Sequence, residues 1–215
     1  MIQYLLRLDK EVKKTDGNFI IIFIRSIFFK LFHKKNILAH QNVLLKGIEN
    51  IETRGQLKLG VDYVGFCSPK DHTYLNIRGK LNLHSKYSIG RGCRFDIGEN
   101  AIVSIGKGGY INAFTTLIIM HKLTIGNNCC ISWNVQILDE DFHSIQYDNK
   151  IQRNKEIKIG NNVWIGSGVQ IFQGTIIPDN SVVASNSIVR GIFNDENCII
   201  GGNPAKIIKK NITWK

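Results

Sequence analysis

An aliphatic residue returns every six positions along the C-terminal part of this chain. Ile159, Ile165, Ile171, Ile177, Val183 and Val189 keep that spacing, and Val163, Val169, Thr175, Ser181 and Ser187, all small or β-branched, stand four residues after the first five. An earlier block repeats the beat with Ile119, Ile125, Ile131 and Ile137. A still earlier one does so with Ile77, Leu83, Ile89 and Phe95, followed by two-residue phase slips near 95–97, 103–105 and 117–119. Six is neither a helical period nor plain strand alternation. It suits a short flat strand followed by a turn in which Gly, Asn or Asp supplies the unusual dihedrals. Three such sides close one coil, and coils stacked at about 4.8 Å make a parallel β-helix whose edges are mostly paired by the next coil. An evenly turned β-sandwich is the alternative; successive hexads argue against it.

The beat stops in "QILDEDFHSIQYDNKIQRNKEIKIG", residues 136–160. Continued in phase from Ile137, the inward positions would be His143, Asn149 and Lys155. None fits unpaired in a dry aliphatic interior without a cost of several kcal/mol. The chain is therefore expected to leave the coil after Ile137 and rejoin it near Ile157 or Ile159, so that loop 138–158 projects and carries His143.

The termini differ from the repeat. Residues 1–36 lack hexads, and "NFIIIFIRSIFFKLFHKKN" (18–36) is strongly apolar but interrupted by Arg25 and Lys30. Its unbroken apolar runs are too short to span a bilayer. A helix that caps the solenoid and a helix that lies in a membrane interface are both compatible with it. The solenoid is assigned to 37–202, and residues 203–215 read as a basic tail after Pro204.

At 215 residues one domain is expected, and a hydrophobic fraction of 43% with 21% charged residues is that of a folded globular chain. The net charge of +11 points to anionic partners, whether nucleic acid, an acidic membrane surface or a phosphorylated small molecule. The five cysteines show no C-x-x-C spacing, which argues against a disulfide framework or a zinc ribbon and for reduced thiols in a cytoplasmic protein. No secretory signal is visible before the apolar run.

"IGNNVWIGSGVQIFQGTIIPDNSVVASNSIV" followed by "IIGGNPAKIIKK" resembles the hexapeptide-repeat acyltransferases with a left-handed β-helix, and "DEDFHSI" resembles their catalytic loop motif. The "VWIG" and "GNPAK" pieces are most similar to the sugar and polysaccharide O-acetyltransferase branch. The resemblance covers roughly residues 75–212. It implies acetyl transfer from acetyl-CoA to a sugar hydroxyl in a surface polysaccharide or its lipid-linked precursor, by a C3 trimer with active sites between neighbouring subunits. His143 would be the general base, because imidazole titrates near neutral pH. Asp141 or Glu140 would orient its ring, or a backbone carbonyl would do so equally well. Trp164 matches the tryptophan beside the thioester arm and acceptor. Gly166, Ser167, Ala184 and Ser185 would leave a shallow groove for pantetheine, although tight turns favour small residues anyway. Asn203 and Pro204 form the exit motif. Lys206, Lys209 and Lys210 would hold the phosphates of coenzyme A, or form a solvated basic tail. No metal and no nucleic-acid partner are expected. The γ-type carbonic anhydrases share the fold but need a His-x4-His pair, and no two of the six histidines here are five apart. An acetyltransferase for another small hydroxyl or amino acceptor and a non-enzymatic scaffold are the remaining alternatives. Peripheral contact with an anionic membrane at the cytoplasmic face is a further expectation.

Overall fold

The computed structural model describes residues 9, 10, 12–143, 148 and 154–215. Its body is a three-sided left-handed parallel β-helix. The strands are β1 (Ile37–Ala39), β2 (Val43–Lys46), β3 (Ile51–Thr53), β4 (Leu57–Leu59), β5 (Thr73–Ile77), β6 (Lys80–Leu83), β7 (Tyr87–Ile89), β8 (Arg94–Ile97), β9 (Ile102–Ile105), β10 (Tyr110–Ile111), β11 (Thr116–Ile119), β12 (Lys122–Ile125), β13 (Cys130–Ile131), β14 (Gln136–Leu138), β15 (Ile157–Ile159), β16 (Trp164–Ile165), β17 (Gln170–Phe172), β18 (Ile176–Ile177), β19 (Val182–Val183), β20 (Ile188–Val189), β21 (Ile199–Gly202) and β22 (Ala205–Lys209). One sheet has the strand order β1-β4-β7-β10-β13-β16-β19-β21-β22, the second β2-β5-β8-β11-β14-β17-β20, and the third β18-β15-β12-β9-β6-β3. We call these sides A, B and C.

The hexads form the interior. Ile159, Ile165, Ile171, Ile177, Val183 and Val189 are all buried, as are Val163, Val169, Thr175, Ser181 and Ser187 between them. Trp164 pairs with Val182 and Gln170 with Ile188, each eighteen residues on, which is three hexads per coil. The phase slips have a simple origin. β8 and β9 each point two residues inward, Phe95 with Ile97 and Val103 with Ile105, so a longer strand widens the coil without breaking it. From the third coil on, one residue per coil takes a positive φ at the A/B corner: Gly92, Phe114, Asn134, Gly168 and Asn186. Glycine and asparagine tolerate that region; the aromatic at Phe114 does so only under strain.

The first coil has no neighbour on its outer side, so some of its backbone groups lack strand partners. Helix α1 (Phe19–His33) covers them. Asn18 caps its N-terminus, accepting from the Ile21 N–H at 3.2 Å. Phe29 joins the core with Ile37, Ala39 and Val43. The Arg25 guanidinium donates to the carbonyls of His40 at 2.7 Å, Gln41 at 3.2 Å and Val43 at 2.8 Å. The arginine that interrupts the apolar run is thus turned towards the solenoid, where it satisfies carbonyls at the open end. No helix among the described residues is long and apolar enough to cross a membrane.

At the other end the expected basic tail is partly strand. Ala205–Lys209 forms β22, antiparallel to β21 after the turn at Pro204. The chain then runs back along side A, where the Ile212 N–H donates to the Asn197 carbonyl at 2.9 Å and the Trp214 indole to the Asn162 carbonyl at 2.9 Å. The five cysteines are free thiols. Burial pushes Cys93 up to about 12 and Cys129 to about 11, which leaves both unreactive.

Candidate functional site

The coil opens where the loss of hexads predicts. β14 ends at Leu138 and β15 begins at Ile157, so the loop leaves side B and re-enters on side C. Residues 144–147 and 149–153 of loop 138–158 lie outside the described residues. Three acidic residues in a row secure the exit. Asp139 is fully buried and its carboxylate accepts from the backbone N–H groups of Met120 at 2.6 Å, His121 at 2.8 Å and Lys122 at 2.8 Å. Glu140 pairs with His121 at 2.8 Å and with Lys155. The Lys155 ammonium first, and His121 after it, hold the Glu140 carboxyl down at about 2. Asp141 accepts from Gln173 and, at 3.2 Å, from Arg190, both on the coils below. Arg190 in turn lies over the Phe172 ring, 5.4 Å from its centroid.

His143 follows as an exposed side chain. Neither carboxylate reaches its ring. The contact is between Nδ1 and the Asp141 carbonyl oxygen, at 3.4 Å, so of the three orienting groups considered from sequence the backbone carbonyl is the one in place. A carbonyl only accepts, so as a hydrogen bond this contact needs the proton on Nδ1, and among the described residues nothing pairs with Nε2. Asp141 acts on the loop instead, tying it to Gln173 and Arg190. Phe142, between the two, has φ of 59° and is exposed. A bulky residue in that region costs of order 1–3 kcal/mol, and such strain gathers at functional sites.

The residues expected to hold the donor lie on another corner. Gly166 and Ser167 turn the chain from β16 to β17, and Ala184 and Ser185 turn it from β19 to β20, so both pairs sit at the A/B corner, one above the other. A Cβ on Gly166 would stand 2.7 Å from the Ser185 nitrogen and the Val183 oxygen, so close stacking of the turns requires this glycine by itself. Ser167 is half-buried and Ser185 exposed. Trp164 projects from side A beside them; its indole donates to the Ser132 hydroxyl at 3.0 Å, and its ring lies 6.2 Å from that of Trp214. Lys206 and Lys209 are exposed on β22, at the same end of side A, whereas Lys210 pairs with Asp195 at 2.8 Å. Asn203 and Pro204 make the turn that starts β22. Within one chain, then, the donor-side residues are together and His143 is not with them. A strand of side B, about 10 Å for three residues, separates the two corners.

One feature of the A/B corner escaped the sequence reading. The chain between β4 and β5, residues 60–72, folds as a second loop over this corner. Phe66 stacks on Phe114 at 5.9 Å and meets Trp133 edge-on at 5.7 Å. The buried guanidinium of Arg91 anchors the same loop by donating to the Ser68 carbonyl at 3.2 Å. Between loop and coils lies a cleft of about 510 Å³, lined by Asp62, Tyr63, Phe66, Tyr110, Asn112 and Trp133 among others. It continues the stack of turns that carries Gly166 and Ala184 towards the N-terminal end. The available signal was the same as for the first loop: between the inward residues Leu59 and Leu75 the beat is lost.

Among the described residues no group of three His, Cys, Asp or Glu side chains is placed to hold a metal. No protein-family model matches the chain. An uncharacterised 24.8 kDa protein in the cps region of Klebsiella pneumoniae is 36% identical over 217 residues, covering 100% of this chain and 97% of the relative. Among solved structures, the polysialic acid O-acetyltransferase OatWY is 24% identical with a TM-score of 0.50, over 83% of this chain and 90% of that one. The polysialic-acid-specific acetyltransferase NeuO is 23% identical with a TM-score of 0.52, over 84% and 79%. AntD, an N-acyltransferase from Bacillus cereus in complex with dTDP and 3-hydroxybutyryl-CoA, is 18% identical with a TM-score of 0.54, over 82% and 80%. The chain therefore belongs to one family with the cps-region protein of Klebsiella pneumoniae, and it shares the left-handed β-helix fold of these acyltransferase structures.

Proposed function

We propose that this protein is an O-acetyltransferase that moves an acetyl group from acetyl-CoA to a hydroxyl of a sugar in a surface polysaccharide or its lipid-linked precursor. The observation that carries the reading is His143, exposed after the chain leaves the coil, with Nδ1 on the Asp141 carbonyl and Nε2 without a partner among the described residues. Nε2 takes the hydroxyl proton as the oxygen attacks the thioester carbonyl. The tetrahedral intermediate collapses, the C–S bond breaks, and the thiolate of coenzyme A takes the proton back from the imidazolium. Corner N–H groups steady the oxyanion. No acyl-enzyme forms.

The pantetheine arm runs past Gly166, Ser167, Ala184 and Ser185, with Trp164 beside the thioester and Lys206 and Lys209 near the phosphates. The sugar takes the cleft lined by Tyr63, Tyr110, Asn112 and Trp133, whose aromatic faces and amide suit a ring with apolar and hydroxylated sides. The separation of His143 from this corner supports a homotrimer in which each loop serves the corner of its neighbour. C3 symmetry repeats one such heterologous contact three times and closes. A cps-region relative and polysialic acid O-acetyltransferases of the same fold support the choice of a glycan acceptor.

The test is His143→Ala. Turnover of acetyl-CoA with a glycan acceptor should fall about 10²–10⁴-fold while acetyl-CoA binding, read by calorimetry, is retained. Near-normal turnover by the variant would remove His143 from the chemistry.

A further inference from the structure

Among the described residues helix α1 has two apolar faces and only one partner. Ile22, Arg25, Ser26, Phe29 and His33 recur at helical spacing on the side towards the first coil, and Ile22 and Phe29 are buried there. The opposite side carries Ile20, Ile24, Ile27, Phe28, Leu31 and Phe32. All six are exposed, Ile20 to 66%, Leu31 to 69% and Phe32 to 74%. A surface helix ordinarily shows polar residues on this side, and an apolar stripe of this length on a soluble surface marks a contact.

From the structure we infer that this outer face of α1 docks the protein on an anionic lipid surface. The charges around it choose this occupant. Residues 17–36 contain no Asp or Glu, and Lys30 and Lys34 are exposed beside the stripe. Lys10 and Lys14, on the segment leading into α1, are exposed as well. The described acids of that segment are Asp9, paired with Lys13 at 2.7 Å, and Asp16. A helix with bulky apolar residues outward, lysines at its border and no acid of its own matches an interfacial helix that lies in the headgroup plane. It lies flat because its inner face and Arg25 hold it on the first coil. Arg25 itself is spent on the coil and takes no part in lipid binding. The inference does not depend on the proposed catalysis, and it would place the solenoid's first coil against the bilayer whatever the acceptor.

The experiment sediments the full-length protein with vesicles of phosphatidylglycerol and phosphatidylcholine, and with phosphatidylcholine alone. Binding is expected to the anionic vesicles and to weaken at high salt. Ile20→Gln, Ile24→Gln and Leu31→Gln combined should lower the partition by at least about tenfold, with an unchanged circular dichroism spectrum because these side chains face away from the coil. Lys30→Glu with Lys34→Glu should weaken binding and flatten its salt dependence. Wild-type protein that stays in the supernatant, or a triple glutamine variant that binds as well as wild type, overturns the inference. Loss of oligomers by that variant in sedimentation velocity, with no vesicle binding by wild type, assigns the face to a second copy instead and also overturns it.

Discussion

The carboxylate of Asp139 should be worth more to this protein than any other single polar group near the loop. It is fully buried, and its two oxygens accept three backbone N–H groups from consecutive residues, Met120, His121 and Lys122, at 2.6–2.8 Å. Those residues make the B/C corner of the coil above, and β14 ends one residue before Asp139. Asp139→Ala removes every acceptor at once. Each buried donor left without a partner costs about 1–3 kcal/mol. Three of them give at least about 3 kcal/mol, even if the smaller side chain admits some relaxation. Asp139→Asn is the more informative variant. It keeps one acceptor oxygen but turns an NH2 group towards at least one N–H, so about half the loss, at least roughly 1.5 kcal/mol, is expected. A solenoid need not unfold in one step, so urea unfolding at fixed protein concentration should be joined by hydrogen exchange of the three amides. In the alanine variant they should exchange faster than their neighbours in β14 and β15. A loss under about 1 kcal/mol with unchanged exchange at Met120, His121 and Lys122 would refute the reasoning.

Ser167→Arg should fill the proposed donor groove and abolish acetyl-CoA binding by calorimetry without altering the circular dichroism spectrum, since Ser167 is half-exposed between two turn glycines; unchanged affinity would move the groove elsewhere. Acid should loosen the first coil before the loop. Burial, with Arg91 second, lowers His40 to about 4, below the ordinary 6.5, so the unfolded chain binds the extra proton and stability is full above about pH 6.5 and lost as pH falls through 4. Glu140, held at about 2, lies below the ordinary carboxylate value near 4.3; its contribution is present above that value and lost only as pH falls through 2. Hydrogen exchange followed from pH 7 downward should therefore show protection lost at β1 and β2 first, and earlier loosening of residues 138–143 would contradict both assignments.

The interior was legible because a buried aliphatic residue at a fixed period has one physical meaning, and every inward residue from Ile159 to Val189 is where the hexads put it. The exit of the loop was legible for the complementary reason: His143 and Lys155 had no place inside, and β14 and β15 end and begin where they force the chain out. Residues whose role depends on a partner were not legible. Arg25 reads as a basic interruption of an apolar run, and only the first coil's unpaired carbonyls show why it points inward. Lys206 and Lys209 read as tail, yet the turn at Pro204 returns them to side A as strand. Asp139 stands two residues past an inward isoleucine, in register for burial, but three N–H partners from a coil about twenty residues earlier were needed to make a carboxylate acceptable there. The loop at 60–72 was missed although it breaks the beat as the other does, because its residues lie among coils whose hexads had not yet become regular.

The placement of the site follows from what a solenoid cannot do. Its interior is filled by one aliphatic layer after another, so no ligand enters there, and its three sides and corners are convex or flat. Concave surface has to be added, and two departures from the coil are the places where this chain can add it. Loop 60–72 folds against the A/B corner and encloses the cleft beside Trp133. The chain leaves at the B/C corner after Leu138, and among the described residues His143 touches only the Asp141 carbonyl. Counting sides along the hexads gives the same separation: Ile137 lies on side B, Ile159 on C and Ile165 on A, so the turn after Ile165 is one side away from the loop after Ile137. Bringing these corners together by bending one chain would break the strand ladders of every coil between them, at a cost no single loop repays. In the proposed trimer a second copy would leave the ladders intact and bring the two surfaces together, and the trimer would then be a condition of the proposed chemistry and not only an assembly.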